Sequence, residues 1–127
     1  MKVHVVLERG YEYNDSTYDA TDGGNAIHGY LKIEDAQKEV DRLSIILARE
    51  GNFHKLYSEY EMFDSLYNED LNQLLTKYGI DYYDIESWYE FDRLTEIIPK
   101  MTDEEILVIM KQLCNKPYYI QSCDFNE

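Results

Sequence analysis

Along residues 2–8 apolar and polar positions alternate, with Val3, Val5 and Leu7 on one side and His4, Val6 and Glu8 on the other. That is the two-residue period of a pleated strand, and its β-branched residues favour extended backbone. Val6 makes the second face partly apolar as well, which predicts an interior strand. Residues 9–25 (RGYEYNDSTYDATDGGN) are rich in turn formers and carry Tyr11, Tyr13 and Tyr18. They predict a long loop or an irregular hairpin, with Gly23 and Gly24 serving a tight turn. Residues 26–31 return as a second strand.

From residue 33 to 48 the period becomes helical: Ile33, Ala36, Val40, Leu43 and Leu47 recur every three or four positions, with charged residues opposite and Gly51 as a stop able to take positive φ. Residues 53–63 fit both periods, because Leu56, Tyr60 and Phe63 suit a helix while Leu56, Tyr60 and Met62 suit a strand; a strand-like start is the expectation. Asn68 then caps a helix bearing Leu71, Leu74, Leu75 and Tyr78 on one side, closed by Gly79. Residues 80–86 have no clean period and predict a turn. Ser87 and Glu90 have capping-box spacing ahead of Phe91, Leu94 and Ile98, with Pro99 as terminator. Thr102 and Glu105 form a second box before Ile106, Leu107, Ile109, Met110 and Leu113. Residues 118–124 (YYIQSCD) predict a last strand that pairs with the first. The expected fold is α+β: a small, mainly antiparallel sheet of the N-terminal strands and the C-terminal strand, packed against three or four helices.

The length of 127 residues suits one domain spanning 1–127. A hydrophobic content of 44% argues for a folded chain, so the net charge of −14 is not a mark of disorder. Charge of that sign repels phosphate, which disfavours direct binding to nucleic acid or to anionic membranes. The short apolar run at the N-terminus lacks the length of an export signal, and the expected location is the cytoplasm. Cys114 and Cys123 are accordingly expected as two reduced thiols.

Residues 3–14 (VHVVLERGYEYN), followed by the first helix, resemble small uncharacterised bacterial and phage proteins. The resemblance covers about a third of the chain, carries no catalytic motif and implies no function.

Neither a metal site nor a catalytic group is expected, and no cofactor. His4, His28 and His54 lie far apart in the chain and outside metal-binding spacings. Asp15, Asp19, Asp22 and Asn25 lack the ligand spacing of a calcium loop and suit a solvated one. Carboxylates are so abundant that no particular pair stands out as an acid and base.

The chemically unusual stretch is 58–97, with eleven acids against two bases, 2 − 11 = −9, and nine of the eighteen aromatic residues. Helical positions account for part of it, and the candidate surface narrows to 80–92. There Asp81, Tyr82, Tyr83, Asp84, Glu86, Trp88, Tyr89, Glu90 and Asp92 crowd together. Tyr and Trp supply contact area at low entropic cost, while carboxylates steer a positive partner. The leading expectation is therefore a non-enzymatic module that binds a basic protein. An inhibitor of a nucleic-acid-binding enzyme, imitating phosphates in its positive groove, fits that description, and a phage-type anti-defence protein is an analogy for it. Two alternatives are a ligand-binding or catalytic pocket near Tyr11, Tyr13 and Tyr18, and a homodimer that buries the aromatics.

Overall fold

A computed structural model describes residues 1–14, 17–51, 53, 56, 63, 68–85 and 88–124, with backbone alone at 11–14, 17–23, 84 and 88. Three strands and four helices follow in the order β1 (Lys2–Asn14), β2 (Thr17–Tyr30), α1 (Ile33–Arg49), α2 (Glu69–Lys77), α3 (Trp88–Ile97), α4 (Asp103–Lys111) and β3 (Tyr118–Asp124). The strands form one antiparallel sheet in the order β2-β1-β3. The α+β architecture expected from periodicity is the one observed, and β1 is interior as the two-sided apolar pattern required.

The hairpin of β1 and β2 is more continuous than the turn-rich composition of 9–25 implied. Pairing runs from His4↔Tyr30 to Asn14↔Thr17, with register shifts between Val6 and Leu7 and between Arg9 and Tyr11. Bulges let polar, turn-favouring residues stay in a ladder by absorbing extra residues on one strand. Asp19, Asp22 and Asn25, expected in a solvated loop, lie in β2, whereas Asp15 falls outside the described residues. Gly24 is likewise a strand residue, paired with Arg9, and not part of a tight turn. A Cβ there would sit 2.5 Å from the Glu8 carbonyl oxygen and 2.8 Å from the Tyr119 hydroxyl, so close approach explains this glycine.

Helix α1 buries Ala36, Val40, Ser44 and Ala48, a stripe at four-residue spacing; Ala36 and Val40 pack with Val6 of the sheet, and Ala48 packs among the helices. Ile33, expected on that face, is exposed. Ile33 lies on the same angular stripe but is the first residue of the helix, beyond Ala36, the first buried position, and Leu43 and Leu47 flank the stripe. Arg49, in the last turn, ties the helix to the opposite layer: Nη2 donates to Asp103 Oδ1 at 2.6 Å and to the Met101 carbonyl at 3.0 Å. Each charge complements the dipole of its own helix end.

The helical layer is fixed by local signals. Asn68 Oδ1 accepts from Leu71 N at 2.9 Å. After α2, Gly79 adopts φ +76 while its N–H bonds Thr76 O and that of Ile80 bonds Leu75 O. This paired arrangement, with Ile80 and Leu75 buried in one cluster, is a Schellman stop. At α4 both halves of the Thr102–Glu105 capping box are present. The other expected box, Ser87 with Glu90, lies partly outside the described residues, since Ser87 is not among them; the Glu90 carboxylate binds Asp81 N and Arg93. Most of 53–63 also lies outside them; Phe53 and Leu56 have 3-10 conformation where a strand-like start was expected, and Phe63 bridges to Leu113.

Buried side chains form two clusters. The larger joins the helices around Phe53, Leu75, Phe91, Leu94 and Ile106, with Phe53 and Phe91 stacked at 5.4 Å. The smaller, Val6, Ala36 and Val40, lies between α1 and the sheet. No helix among the described residues is long and apolar enough to cross a membrane.

Candidate functional site

The segment 80–92 is anchored at both ends and presented between them. Ile80 and Ile85 are buried in the larger cluster. Asp81 Oδ1 accepts from Tyr83 N at 3.0 Å and starts the 3-10 turn Tyr82–Asp84. A side-chain oxygen that captures a nearby N–H in this way holds a turn without help from a ladder. Tyr82 is half-buried and meets the Tyr83 ring edge-on, 5.6 Å between centroids. Tyr83 itself is 81% exposed.

Helix α3 supplies the other half. Phe91 and Leu94 face the core, which turns Tyr89 and Asp92 outward. Tyr89 is 70% exposed. Arg93 lies 5.9 Å from the centre of its ring. The same guanidinium donates to Glu90 Oε1 at 3.0 Å and to the Gly79 carbonyl at 2.9 Å. Glu90 Oε2 accepts from Asp81 N at 3.0 Å. One buried carboxylate and one arginine thus fasten α3 to the chain leaving α2, and Tyr83 and Tyr89 project from a cross-braced frame.

The nine sequence-chosen residues separate accordingly. Asp81, Tyr83, Tyr89 and Asp92 are exposed, and Tyr82 is partly so. Glu90, 8% exposed, faces inward and braces the segment; its charge is matched by Arg93. The side chains of Asp84 and Trp88 and the whole of Glu86 lie outside the description. Neither Asp81 nor Asp92 has a cation within ion-pair distance among the described residues. Sequence reasoning missed the role of Arg93, although Glu90 and Arg93 stand three apart, a spacing that brings side chains together on a helix.

Other candidate chemistry is dispersed. His4 Nδ1 lies 2.6 Å from Ser122 Oγ across the sheet, His28 packs on Tyr30 at 4.7 Å, and His54 is outside the described residues. No group of three or more His, Cys, Asp or Glu among the described residues could hold a metal ion. Cys114 and Cys123 form no disulfide. The Glu105 carboxyl is held down at about 2 by hydrogen bonds from Lys77, the Thr102 backbone and Tyr78. That is a structural junction between α2 and α4. The side chains of Tyr11, Tyr13 and Tyr18, the expected surroundings of a ligand pocket, are not described. A cavity of about 380 Å³ lies elsewhere, between α1, α4 and β3. Comparison with known proteins gives no match to a family model, to a curated protein or to a solved structure.

Proposed function

We propose that this protein is a non-enzymatic binding module that docks on an electropositive protein through the 80–92 surface. The observation that carries this reading is the pair Tyr83 and Tyr89, 81% and 70% exposed beside a turn held by Asp81 and a helix held by Glu90 and Arg93. Large rings on a preorganised frame contribute contact area without a matching loss of freedom on binding. Asp81 and Asp92, which lack cation partners among the described residues, and the overall charge of −14 set the sign of the partner. Complementary charge speeds encounter and suppresses wrong partners, while the buried rings hold the complex. A nucleic-acid-binding enzyme has such a positive surface in its groove, and occupation of that groove would inhibit it.

The reading is tested by affinity capture from host lysate with parent and Tyr83→Ala/Tyr89→Ala protein side by side. A basic protein retained by the parent and lost with the double variant is the expected result. Capture that is the same for both proteins, or no basic protein retained by the parent at low salt, overturns it.

A further inference from the structure

Among the described residues the two hydrophobic clusters do not merge, and a cleft opens between them. The helical cluster contributes Met110 to one wall of the 380 Å³ cavity, while Val40 of the sheet-side cluster lines the other. Tyr118 and Ile120 of β3, both half-buried, complete the apolar lining. The volume is at the small end of the range for ligand sites, about 300–1,000 Å³. Close packing is the rule in interiors, so an open apolar seam of this size is a place where a ligand restores contacts that the chain does not make for itself.

The rim selects the ligand's charge. Lys111 and Lys116 both line the cavity, against one carboxylate, Asp41, which accepts from Gln37 Nε2 at 2.9 Å. Four other cations are drawn into ion pairs, Arg42 with Glu39, Arg49 with Asp103, Lys77 with Glu105 and Arg93 with Glu90, whereas Lys2, Arg9, Lys32, Lys38 and Lys100 form none among the described residues. Lys111 and Lys116 have no carboxylate within ion-pair distance among the described residues, and the Lys116 ammonium reaches only the Leu113 carbonyl, at 3.3 Å. Among the lining residues two lysines thus stand against one carboxylate, with Glu8 and Glu50 beyond the lining but near enough to act on the Tyr118 hydroxyl.

We infer that the cleft between α1, α4 and β3 binds a small amphipathic organic anion, its apolar body between Val40 and Met110 and its carboxylate or sulfonate against Lys111 and Lys116. This site is separate from the 80–92 surface and does not depend on it.

The probe is 8-anilinonaphthalene-1-sulfonate, an apolar ring system with one anionic group, titrated against the full chain by fluorescence. The neutral N-phenyl-1-naphthylamine serves as the uncharged control. Saturable binding of one sulfonate per chain is expected, with methyl NMR shifts centred on Val40, Met110 and Ile120. Lys111→Gln/Lys116→Gln, at exposed positions that leave the core intact, weakens it by about tenfold or more, since charge-assisted contacts are the strong ones. The neutral compound is expected to bind more weakly and to ignore the lysine change. No binding, binding unchanged by the double lysine variant, equal affinity for the neutral compound, or shifts centred elsewhere would each overturn the inference.

Discussion

Glu90→Ala tests whether the 80–92 surface is held from beneath. The carboxylate is 8% exposed, accepts one backbone bond from Asp81 N at 3.0 Å and binds Arg93 at 3.0 Å. Hydrogen bonds to a charged group contribute about 1.5–3 kcal/mol each. Arg93 is 36% exposed and keeps its bond to Gly79 O, so its charge rehydrates and the ion-pair part is discounted. The loss is expected at about 2–4 kcal/mol, dominated by the bond to Asp81 N and the packing of the buried side chain. Glu90→Gln, which keeps a carbonyl oxygen for Asp81 N, is expected to cost about 1–2 kcal/mol. Urea unfolding measures both, with an unchanged denaturant slope as the sign that native stability alone has moved. Hydrogen exchange at Asp81 N reports the local event, and its protection is expected to fall more in Ala than in Gln. A Glu90→Ala protein within about 0.5 kcal/mol of the parent, or with Asp81 N equally protected, would refute the bracing role.

Acid stability should carry the mark of Glu105. Its carboxyl is depressed from 4.5 to about 2, so the stability it contributes is present above pH 4.5 and is lost as pH falls through that interval towards 2. Thermal melts of Glu105→Gln are expected to show a shallower decline over this range than the parent, and parallel curves would contradict the assignment. Gly24→Ala should lower stability by about 1–3 kcal/mol through overpacking, because its Cβ would meet the Glu8 carbonyl oxygen at 2.5 Å. A melting temperature equal to the parent's would show that the hairpin shifts without cost.

What could be read from the chain was whatever depends on neighbours in sequence. Asn68, Gly79 and the Thr102–Glu105 box act within one turn: Asn68 and the box start their helices and Gly79 ends one. The alternation through Val3–Val6 fixes an interior strand for the same reason. Pairing beyond Glu8 was less legible, since Tyr11↔Ala20 and Tyr13↔Tyr18 form in a stretch whose composition favours turns. Ile33 has the right periodicity but is the first residue of α1 and lies beyond the first buried position, Ala36, so its exposure depends on where the packed length of the helix begins, a tertiary event. The bond from Asp81 N to Glu90 had no sequence signal, because it forms only when the chain after α2 folds back within reach of α3. The α1–α4–β3 cleft had no signal at all: Val40 and Met110 belong to opposite halves of the chain and meet only in the folded protein.

The central claim is that Tyr83 and Tyr89, among acids, dock an electropositive protein. Its most direct measurement is the dissociation constant of the captured basic protein for parent, Tyr83→Ala, Tyr89→Ala and Asp81→Asn/Asp92→Asn across roughly 0.05–0.5 M salt, where the screening length falls from over 10 Å to below 5 Å. Each tyrosine variant should weaken binding about 5–30-fold at every salt, as truncation of a central aromatic does. The acid variant should lose affinity chiefly at low salt and flatten the salt dependence. Affinities that agree among all four proteins, or that do not change with salt in the parent, would contradict the account.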